Sequence, residues 1–472
     1  MAKGKPTDAV ILAAGKGTRL WPYGDTNPKA ALPLGNRPVI HHQLDALASA
    51  GVKTVSVVVG YLEGMVRAAC ASWQSQAKSP LEIHIVPLSS PRGTAYSALS
   101  GLTARADSGA PAYLLPGDLY FHPDDLKALA ERTKPGSVAC LVSPLEERSC
   151  QDVVSLEVEN GKGKAVHAHS RCAAQGGRTL TGLYAVPADF VRHLAATPEI
   201  PTCVEIGAMP PAEQALFETL HQFLRGGGEV LAVEAKERVI DMDRPWDLLE
   251  ANMLCAERET SVLSKNVLAK GASIDPAARL EGFVKLGAGS KIGPGVIVYG
   301  NLIVGANTTI TDGAYVGENT LIGDDCKIWR GCLVGGKSVI GHRCVVGHGA
   351  EVEGLIMDEA YSYHYGEYWG ILGKCCDLGA ATVCGTLRFD DGETTHRVKG
   401  RKETPRWHSN ATYLGDYVRT GVNAILMPGV KAGPYSLIGA GVYLNEDIPN
   451  NTAVFVEQTH KKSSWGPERY GW

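Results

Sequence analysis

The amino-acid sequence predicts an α/β domain followed by a three-sided parallel β-coil, and three observations carry that prediction. From Ile274 to Val352 an aliphatic residue stands at every sixth position, fourteen times without a slip. Of the 472 residues, 55 are glycine, above the usual share of about 7%, and the excess sits mainly in the second half. In the first half a short apolar run, DAVILA at 8–13, ends in the glycine-rich turn Ala14-Gly15-Lys16-Gly17-Thr18-Arg19-Leu20.

In chain order, the DAVILA run reads as a buried strand. A strand that ends in a glycine-rich turn is how α/β folds present backbone N–H groups to phosphates. Arg19 follows the turn at once, and Pro28-Lys29 comes soon after in NPKAALPLGNRPVI. His41 to Ala50 reads as a helix, and VKTVSVVV at 52–59 as the next parallel strand. Leu114-Leu115-Pro116-Gly117-Asp118 is a further strand, ending in a carboxylate. Ligands of open α/β sheets sit beyond the carboxyl ends of the strands. The glycine turn, Arg19, Lys29 and Asp118 all map to such ends.

A strict period of six fits neither the 3.6-residue repeat of a helix nor the alternation of a strand. It does fit one flat face of a three-sided coil, in which each aliphatic points inward and small residues turn the corner. The register stops after Val352 and returns at Leu372, Leu378 and Cys384. It stops again, then runs through Leu414, Thr420, Leu426, Ala432, Ile438 and Leu444. The interval from Phe389 to Asn410, FDDGETTHRVKGRKETPRWHSN, is polar and charged and reads as an excursion from the coil. Insertions in solenoids gather on one side and often carry the site.

Over residues 12–34, LAAGKGTRLWP with PKAALP resembles the signature of the sugar-1-phosphate nucleotidylyltransferases. PRGTAYSA at 91–98, PGDLYF at 116–121, TGLYAV at 181–186 and IDMDRPWDLLEAN at 240–252 follow in that family's order. The hexads resemble the left-handed β-helix of hexapeptide-repeat acyltransferases. Together the resemblances imply an α/β, Rossmann-like nucleotidyltransferase domain over 1–250 and a linker helix over 251–265. A left-handed parallel β-helix of hexapeptide repeats over 266–456 and a C-terminal tail over 457–472 complete the chain.

The implied reaction is attack of a sugar-1-phosphate oxygen on the α-phosphorus of an NTP, UTP or dTTP, with pyrophosphate leaving in line. The resemblance places Leu12, Ala13, Ala14, Gly15, Gly17, Thr18, Gly93 and Thr94 around the nucleotide. Arg19 would hold the departing pyrophosphate and Lys29 the α-phosphate region, both in catalytic roles. Arg171, Thr181 and Gly182 would bind the sugar phosphate, while Tyr184 belongs either to that pocket or to the core. Asp118 and Asp241 would hold Mg²⁺, a hard cation suited to carboxylate oxygens. Asp243, two residues from Asp241, is the alternative second ligand. Two departures bear on specificity. Leu88 stands where UTP and dTTP enzymes place a base-reading Gln, and His169-Ser170-Arg171 replaces the family's Glu-Glu-Lys element.

LIMDEAYSYHYGEYWGILGKCCDLGAATVCGTLRFDDGE and GDYVRTGVNAILMPGVKAG resemble the acetyltransferase half of archaeal-type bifunctional enzymes. These are glucosamine-1-phosphate acetyltransferase/N-acetylglucosamine-1-phosphate uridylyltransferases. In that family a His at the register break is the general base on the acceptor amine, and His364 falls there. A ring with a pKa near 6.5 suits that proton transfer. The alternative is a packed aromatic cluster with Tyr361, Tyr363, Tyr365, Tyr368 and Trp369. Acetyl-CoA would lie near Ala380 and Ala381, between subunits of a homotrimer, and the family's acceptor-phosphate Lys is replaced by Glu353 or Gly354.

Lys+Arg number 46 against 50 Asp+Glu, a net charge of -4. That balance argues against a dedicated nucleic-acid binder. No apolar run approaches the roughly 18 residues of a membrane span, and the polar start at Met1–Thr7 does not read as a secretory signal. A cytoplasmic protein is expected, with its twelve scattered cysteines as buried free thiols. The expected function is synthesis of a UDP- or dTDP-sugar such as UDP-N-acetylglucosamine, with acetyl-CoA-dependent acetylation of an amino-sugar-1-phosphate. Two alternatives stay open. One is a single-activity pyrophosphorylase whose β-helix oligomerises or binds a regulator, and the other is a non-catalytic regulatory subunit.

Overall fold

The computed structural model describes residues 5–77, 80–105, 109–145, 153–168, 177–201 and 212–470. Nine strands form the first sheet: β1 (Asp8–Ala13), β2 (Thr54–Val59), β3 (Glu82–Pro87), β4 (Ala112–Pro116), β5 (Ser137–Pro144), β6 (Ser155–Glu159), β7 (Lys162–His167), β8 (Gly177–Val186) and β9 (Glu229–Glu234). Their order is β3-β2-β1-β4-β8-β5-β9-β7-β6. β1 lies parallel to β2 and β4, and β8 runs antiparallel between β4 and β5. The apolar run of β1 is nearly continuous because both its faces are covered. Ala9, Ile11 and Ala13 face a core with helices Val39–Ser49 and Glu63–Gln76. Val10 faces the opposite core with helices Thr94–Thr103 and Leu216–Arg225.

From Val267 the chain winds into a left-handed parallel β-helix of very short strands. Inner residues stack one coil apart on three faces: Leu286 on Val304 on Ile322, Ile292 on Ile310 on Ile328, and Val298 on Val316 on Val334. The corners need left-handed backbone, which Gly295 and Gly313 adopt without steric cost and Asn307 and Asn319 tolerate.

The coil does not break after Val352. Strand Ala350–Ile356 runs straight through a corner, with Val352 paired to Val334 on one face and Ile356 to Ile340 on the next. The inner residues are four positions apart there instead of six, and Tyr368 and Leu372 repeat the shortening one coil on. Gly354 (φ 109°) and Gly370 (φ 137°) make the tight corner, and a Cβ on Gly370 would lie 1.9 Å from the Thr412 carbonyl oxygen. The shortening also seats a neighbour, since a Cβ on Gly354 would lie 3.1 Å from Leu249 Cδ1.

Leu249 belongs to helix Pro245–Ser261, which joins the two architectures. Its Trp246, Leu248 and Cys255 share one core with Leu20, Tyr23 and Leu34 of the first half and with Leu321, Leu355, Ile371 and Tyr413 of the coil. Tyr23 is fully buried, and its hydroxyl donates to the Ile371 carbonyl at 2.9 Å. Around this core Asp416 accepts hydrogen bonds from Thr26 (2.8 Å) and Asn27 (2.9 Å), and Trp21 Nε1 donates to Asn450 Oδ1 (2.8 Å). The excursion is a hairpin, His396–Val398 against Arg401–Glu403, that turns back over the first half. Glu403 grips Arg244 at 2.9 and 3.2 Å, and His408 meets Glu250 at 2.7 Å. Among the described residues the cysteines are free thiols, all buried except Cys375, and no helix is long and apolar enough to cross a membrane.

His396 makes this docking pH-dependent. It is buried against Trp246, with ring centroids 4.9 Å apart. Its Nε2 donates to the Ser409 carbonyl (2.7 Å), and its Nδ1 accepts from the Lys431 ammonium (3.1 Å), which also pairs with Asp447 (2.8 Å). Burial, then the Lys431 charge, hold its pKa down at about 4, with Asp447 opposing. An unfolded His takes up its proton near 6.5, so the unfolded chain binds a proton that the folded chain refuses between about 6.5 and about 4. Stability present above that window is lost as pH falls through it, by about 3 kcal/mol for the full shift. The urea midpoint should therefore drop between about pH 7 and about pH 4.5. Burial lowers the His42 pKa to about 4 as well, so His396→Gln should remove roughly half of the drop, and an equally steep loss in that variant would remove His396 as a source.

Candidate functional site

The glycine turn leaves β1 at Ala13 and passes the end of β2, where the Tyr61 N–H donates to the Ala14 carbonyl (3.2 Å). Gly15 is exposed, with no atom within 4 Å of where a Cβ would stand, so a phosphate has open access to the backbone there. Gly17 turns with φ 66° into the single helical turn Thr18–Leu20. It must be glycine for a second reason, because a Cβ would press on the Lys29 methylenes at 3.0 Å. The loop thus shapes the channel along which Lys29 reaches the strand ends.

At the end of that channel Lys29 Nζ donates to Asp118 Oδ2 (2.6 Å) and to Asp243. Asp118 follows the end of β4, held because the Gly117 N–H donates to the Leu12 carbonyl at 2.8 Å. Asp241 and Asp243 arrive on the ribbon that pairs Ile240–Asp241 with Leu119–Tyr120. Asp243 also takes Arg19 (2.5 Å) and Arg244 (3.2 Å). Burial works to raise its pKa, but Lys29, Arg19 and Arg244 outweigh it and hold the carboxyl well below the usual range. Lys29 is held charged in the same way, its pKa raised by Asp118, Asp243 and Asp241 against the opposing effect of burial. Asp241 is the exposed member, with no ion pair among the described residues. Carboxylate oxygens of Asp118, Asp241 and Asp243 lie within 4.8 Å of one another. Three crowded hard donors, one of them carrying no cation, fit a divalent ion such as Mg²⁺.

The remaining nucleotide-side residues divide by what holds them. Gly93 (φ 105°) lets the backbone pass Gln214, whose carbonyl would be 2.4 Å from a Cβ. Thr94 Oγ1 accepts from the Leu216 N–H (2.8 Å), which ties the PRGTA turn to the start of helix Leu216–Arg225. Leu88 continues β3, its N–H donating to the Val59 carbonyl (2.8 Å), and its side chain packs on the apolar core. Thr181 and Gly182 form a bulge in β8, where the register against β5 shifts between Leu180 and Tyr184. Thr181 Oγ1 donates to the Leu141 carbonyl (3.0 Å). Gly182 (φ 91°) passes so near Pro116 that a Cβ would lie 2.9 Å from its ring, which puts the bulge beside the Asp118 strand end. Tyr184 is buried in the core. Arg171, with His169 and Ser170, lies outside the described residues.

On the coil, His364 is exposed at the corner between strands Tyr361–Ser362 and Gly366–Leu372. Its ring stands 5.8 Å from His348, one coil below, and 4.9 Å edge-on from Tyr363. Arg330, a coil further down, donates to the Tyr363 hydroxyl (2.8 Å) and lies over Trp329. The Ala381 N–H donates to the Tyr365 carbonyl (2.7 Å), so Ala380 and Ala381 form the next corner above His364 on the same edge. Glu353 and Gly354 sit at the shortened corner, where burial and then Glu351 raise the Glu353 pKa.

Sequence reasoning missed the convergence on the first site of residues from the hairpin and from the coil. Glu403 reaches Arg244, and Arg397, Lys399 and Lys431 face Arg19 across a small cavity. The charged composition of the excursion was the available sign.

A family described as MobA-like NTP transferase domain matches residues 9–197, and one described as bacterial transferase hexapeptide (six repeats) matches residues 319–354. A bifunctional protein GlmU from Methanococcus maripaludis is 30% identical over 455 residues, covering 95% of this chain and 97% of that one. One from Methanocaldococcus jannaschii is 27% identical, with the same coverage of 95% and 97%. A bifunctional sugar-1-phosphate nucleotidylyltransferase/acetyltransferase from Sulfurisphaera tokodaii is 24% identical, covering 93% of this chain and 98% of that one. The likeness runs through both architectures and the helix between them, and the chain belongs to the GlmU family of bifunctional proteins.

Proposed function

We propose that the chain joins an NTP, UTP or dTTP, to a sugar-1-phosphate and releases pyrophosphate. One observation carries this reading: Lys29 and Arg19 stand over Asp118 and Asp243 at the strand ends, beneath an open glycine turn. Both reactants are anionic, so holding them in line and neutralising their charge is most of the catalysis. Backbone N–H groups of the turn hold the phosphates, Arg19 meets the leaving pyrophosphate, and Lys29 meets the α-phosphate as negative charge builds. Thr181 and Gly182, with Arg171, border the sugar phosphate. Mg²⁺ held by Asp118 and Asp241, with Asp243 as the alternative ligand, supplies neutralisation of the phosphates when bound. A matrix of NTPs against sugar-1-phosphates, read by pyrophosphate release, tests the reading and names the base and sugar. No release from any pair would overturn it.

The second activity is acetyl transfer from acetyl-CoA to an amino-sugar-1-phosphate, with His364 as general base and Ala380 and Ala381 beside the acyl donor. Its support is the exposed ring of His364 directly below that corner, together with the bifunctional relatives. Acetyl-CoA with glucosamine-1-phosphate should release free thiol, and His364→Ala should slow that release by about 10²–10⁴-fold. Wild-type protein that releases no thiol would leave the coil as a scaffold. The flat coil faces fit a homotrimer, for which light scattering should give three chains per particle. A cytoplasmic setting matches the need for NTP and acetyl-CoA.

A further inference from the structure

The hairpin and the glycine turn border a partly open cavity of about 160 Å³ at the junction of the two architectures. Arg19 and Trp21 line it from the first half, Trp246 from the connecting helix, Arg397 and Lys399 from the hairpin, and Lys431 from the coil. No carboxylate is among its lining residues. Arg19 and Lys431 have their carboxylate partners, Asp243 and Asp447, outside the lining, so the charged groups that face the space are cationic and attract an anion. A docking clamp would not need such a lining. The clamp is made by Glu403 on Arg244 and by His396 under Trp246, whereas Arg397 has an exposed side chain with no anionic partner among the described residues. Lys431, by contrast, is fixed, since it is 2% exposed and tied to Asp447 and His396. The cavity is also held in register with the chemistry. Lys29, Asp243, Arg244 and Glu403 form an unbroken chain of ion pairs from the carboxylate cluster to the hairpin.

The space admits a phosphoryl group, and its lining offers cations to that group's oxygens. We propose that the β-helix hairpin supplies Arg397 and Lys399, with Arg19 and Lys431, as a binding site for the outermost phosphate of the nucleotide and, after transfer, of pyrophosphate. This rests on the nucleotidyl reading and extends it, because the leaving group would be held in part by residues of the other half. Bidentate Arg and pointlike Lys charges suit a phosphate dianion.

The test is calorimetric titration of the full chain with inorganic pyrophosphate, beside steady-state pyrophosphate release. Arg397→Gln with Lys399→Gln should weaken pyrophosphate binding about tenfold or more and raise the KM for NTP by a similar factor. The KM for the sugar-1-phosphate should change little. Should the double variant fail to fold, Arg397→Gln alone tests the proposal, since that side chain has no ion pair among the described residues to lose. Unchanged pyrophosphate affinity in the variant, beside a wild type that turns over, would overturn the site and leave the nucleotidyl reading standing. Weakened affinity in a chain that never turns over would do the reverse. Orthophosphate that binds without competing against NTP would mark a separate site for free phosphate and overturn the assignment to the nucleotide.

Discussion

Lys29→Ala should lower pyrophosphate release by about 10²–10³-fold or more while the chain stays folded. The side chain is the only lysine among the described residues in contact with both Asp118 and Asp243, and it reaches them through a channel that Gly17 keeps open. Its loss removes the cation poised at the α-phosphate. It also leaves three carboxylates within 4.8 Å of one another, with Arg19 and Arg244 on Asp243 alone. The Asp243 carboxyl, kept charged largely by Lys29, should then hold its proton more tightly. The thermal midpoint of the variant should fall in chelator and rise with added Mg²⁺ more steeply than that of the wild type. Near-normal turnover would take Lys29 out of the chemistry, and a midpoint indifferent to Mg²⁺ would take the three carboxylates out of metal binding.

Deleting residues 266–472 should yield aggregated protein rather than a working nucleotidyl domain. Leu20, Tyr23, Leu34, Leu248 and Leu249 are fully buried in the intact chain, and part of what covers them is Leu321, Leu355, Ile371 and Tyr413 of the coil. Without the coil these side chains form a contiguous apolar patch next to the glycine turn, and such patches drive association. Exposing one large buried side chain costs about 1.5–3 kcal/mol, so a handful is comparable to the roughly 5–15 kcal/mol that stabilises a typical domain. Size-exclusion chromatography and pyrophosphate release check this, and a soluble, fully active 1–265 fragment would refute it. We propose that the division at 250–266 marks a change of architecture and not a boundary between independently folding units.

The coil was legible because each hexad is a local statement, with one inward aliphatic and one small corner residue. Where four residues replace six at Val352–Ile356, the same reading reports a break, because a period cannot reveal a corner turned inside a strand. The glycine turn, Arg19, Lys29 and Asp118 were legible because strand ends in a parallel sheet fall together by topology. Asp241 and Asp243 could not be ranked, since two residues on one short ribbon differ only in which cations reach them. The hairpin's docking was hidden for another reason. A run such as HRVKGRKE looks like a solvated face until Arg244 is brought to Glu403 by the fold. Thr94 was read for the nucleotide, yet its hydroxyl accepts from the Leu216 N–H, a contact across 122 positions that no local pattern encodes.

The bond from the Tyr23 hydroxyl to the Ile371 carbonyl also sets a schedule for synthesis. The two residues are 348 positions apart. At about 5–20 residues per second, a ribosome leaves Tyr23, Leu20 and Leu34 without their cover for roughly 20–70 s after they emerge. The sheet can form early, but the loop that carries Arg19 and Lys29 packs only when the last third of the chain arrives. Slow codons late in the message would lengthen that exposure. The nucleotidyl site matures after the coil that follows it.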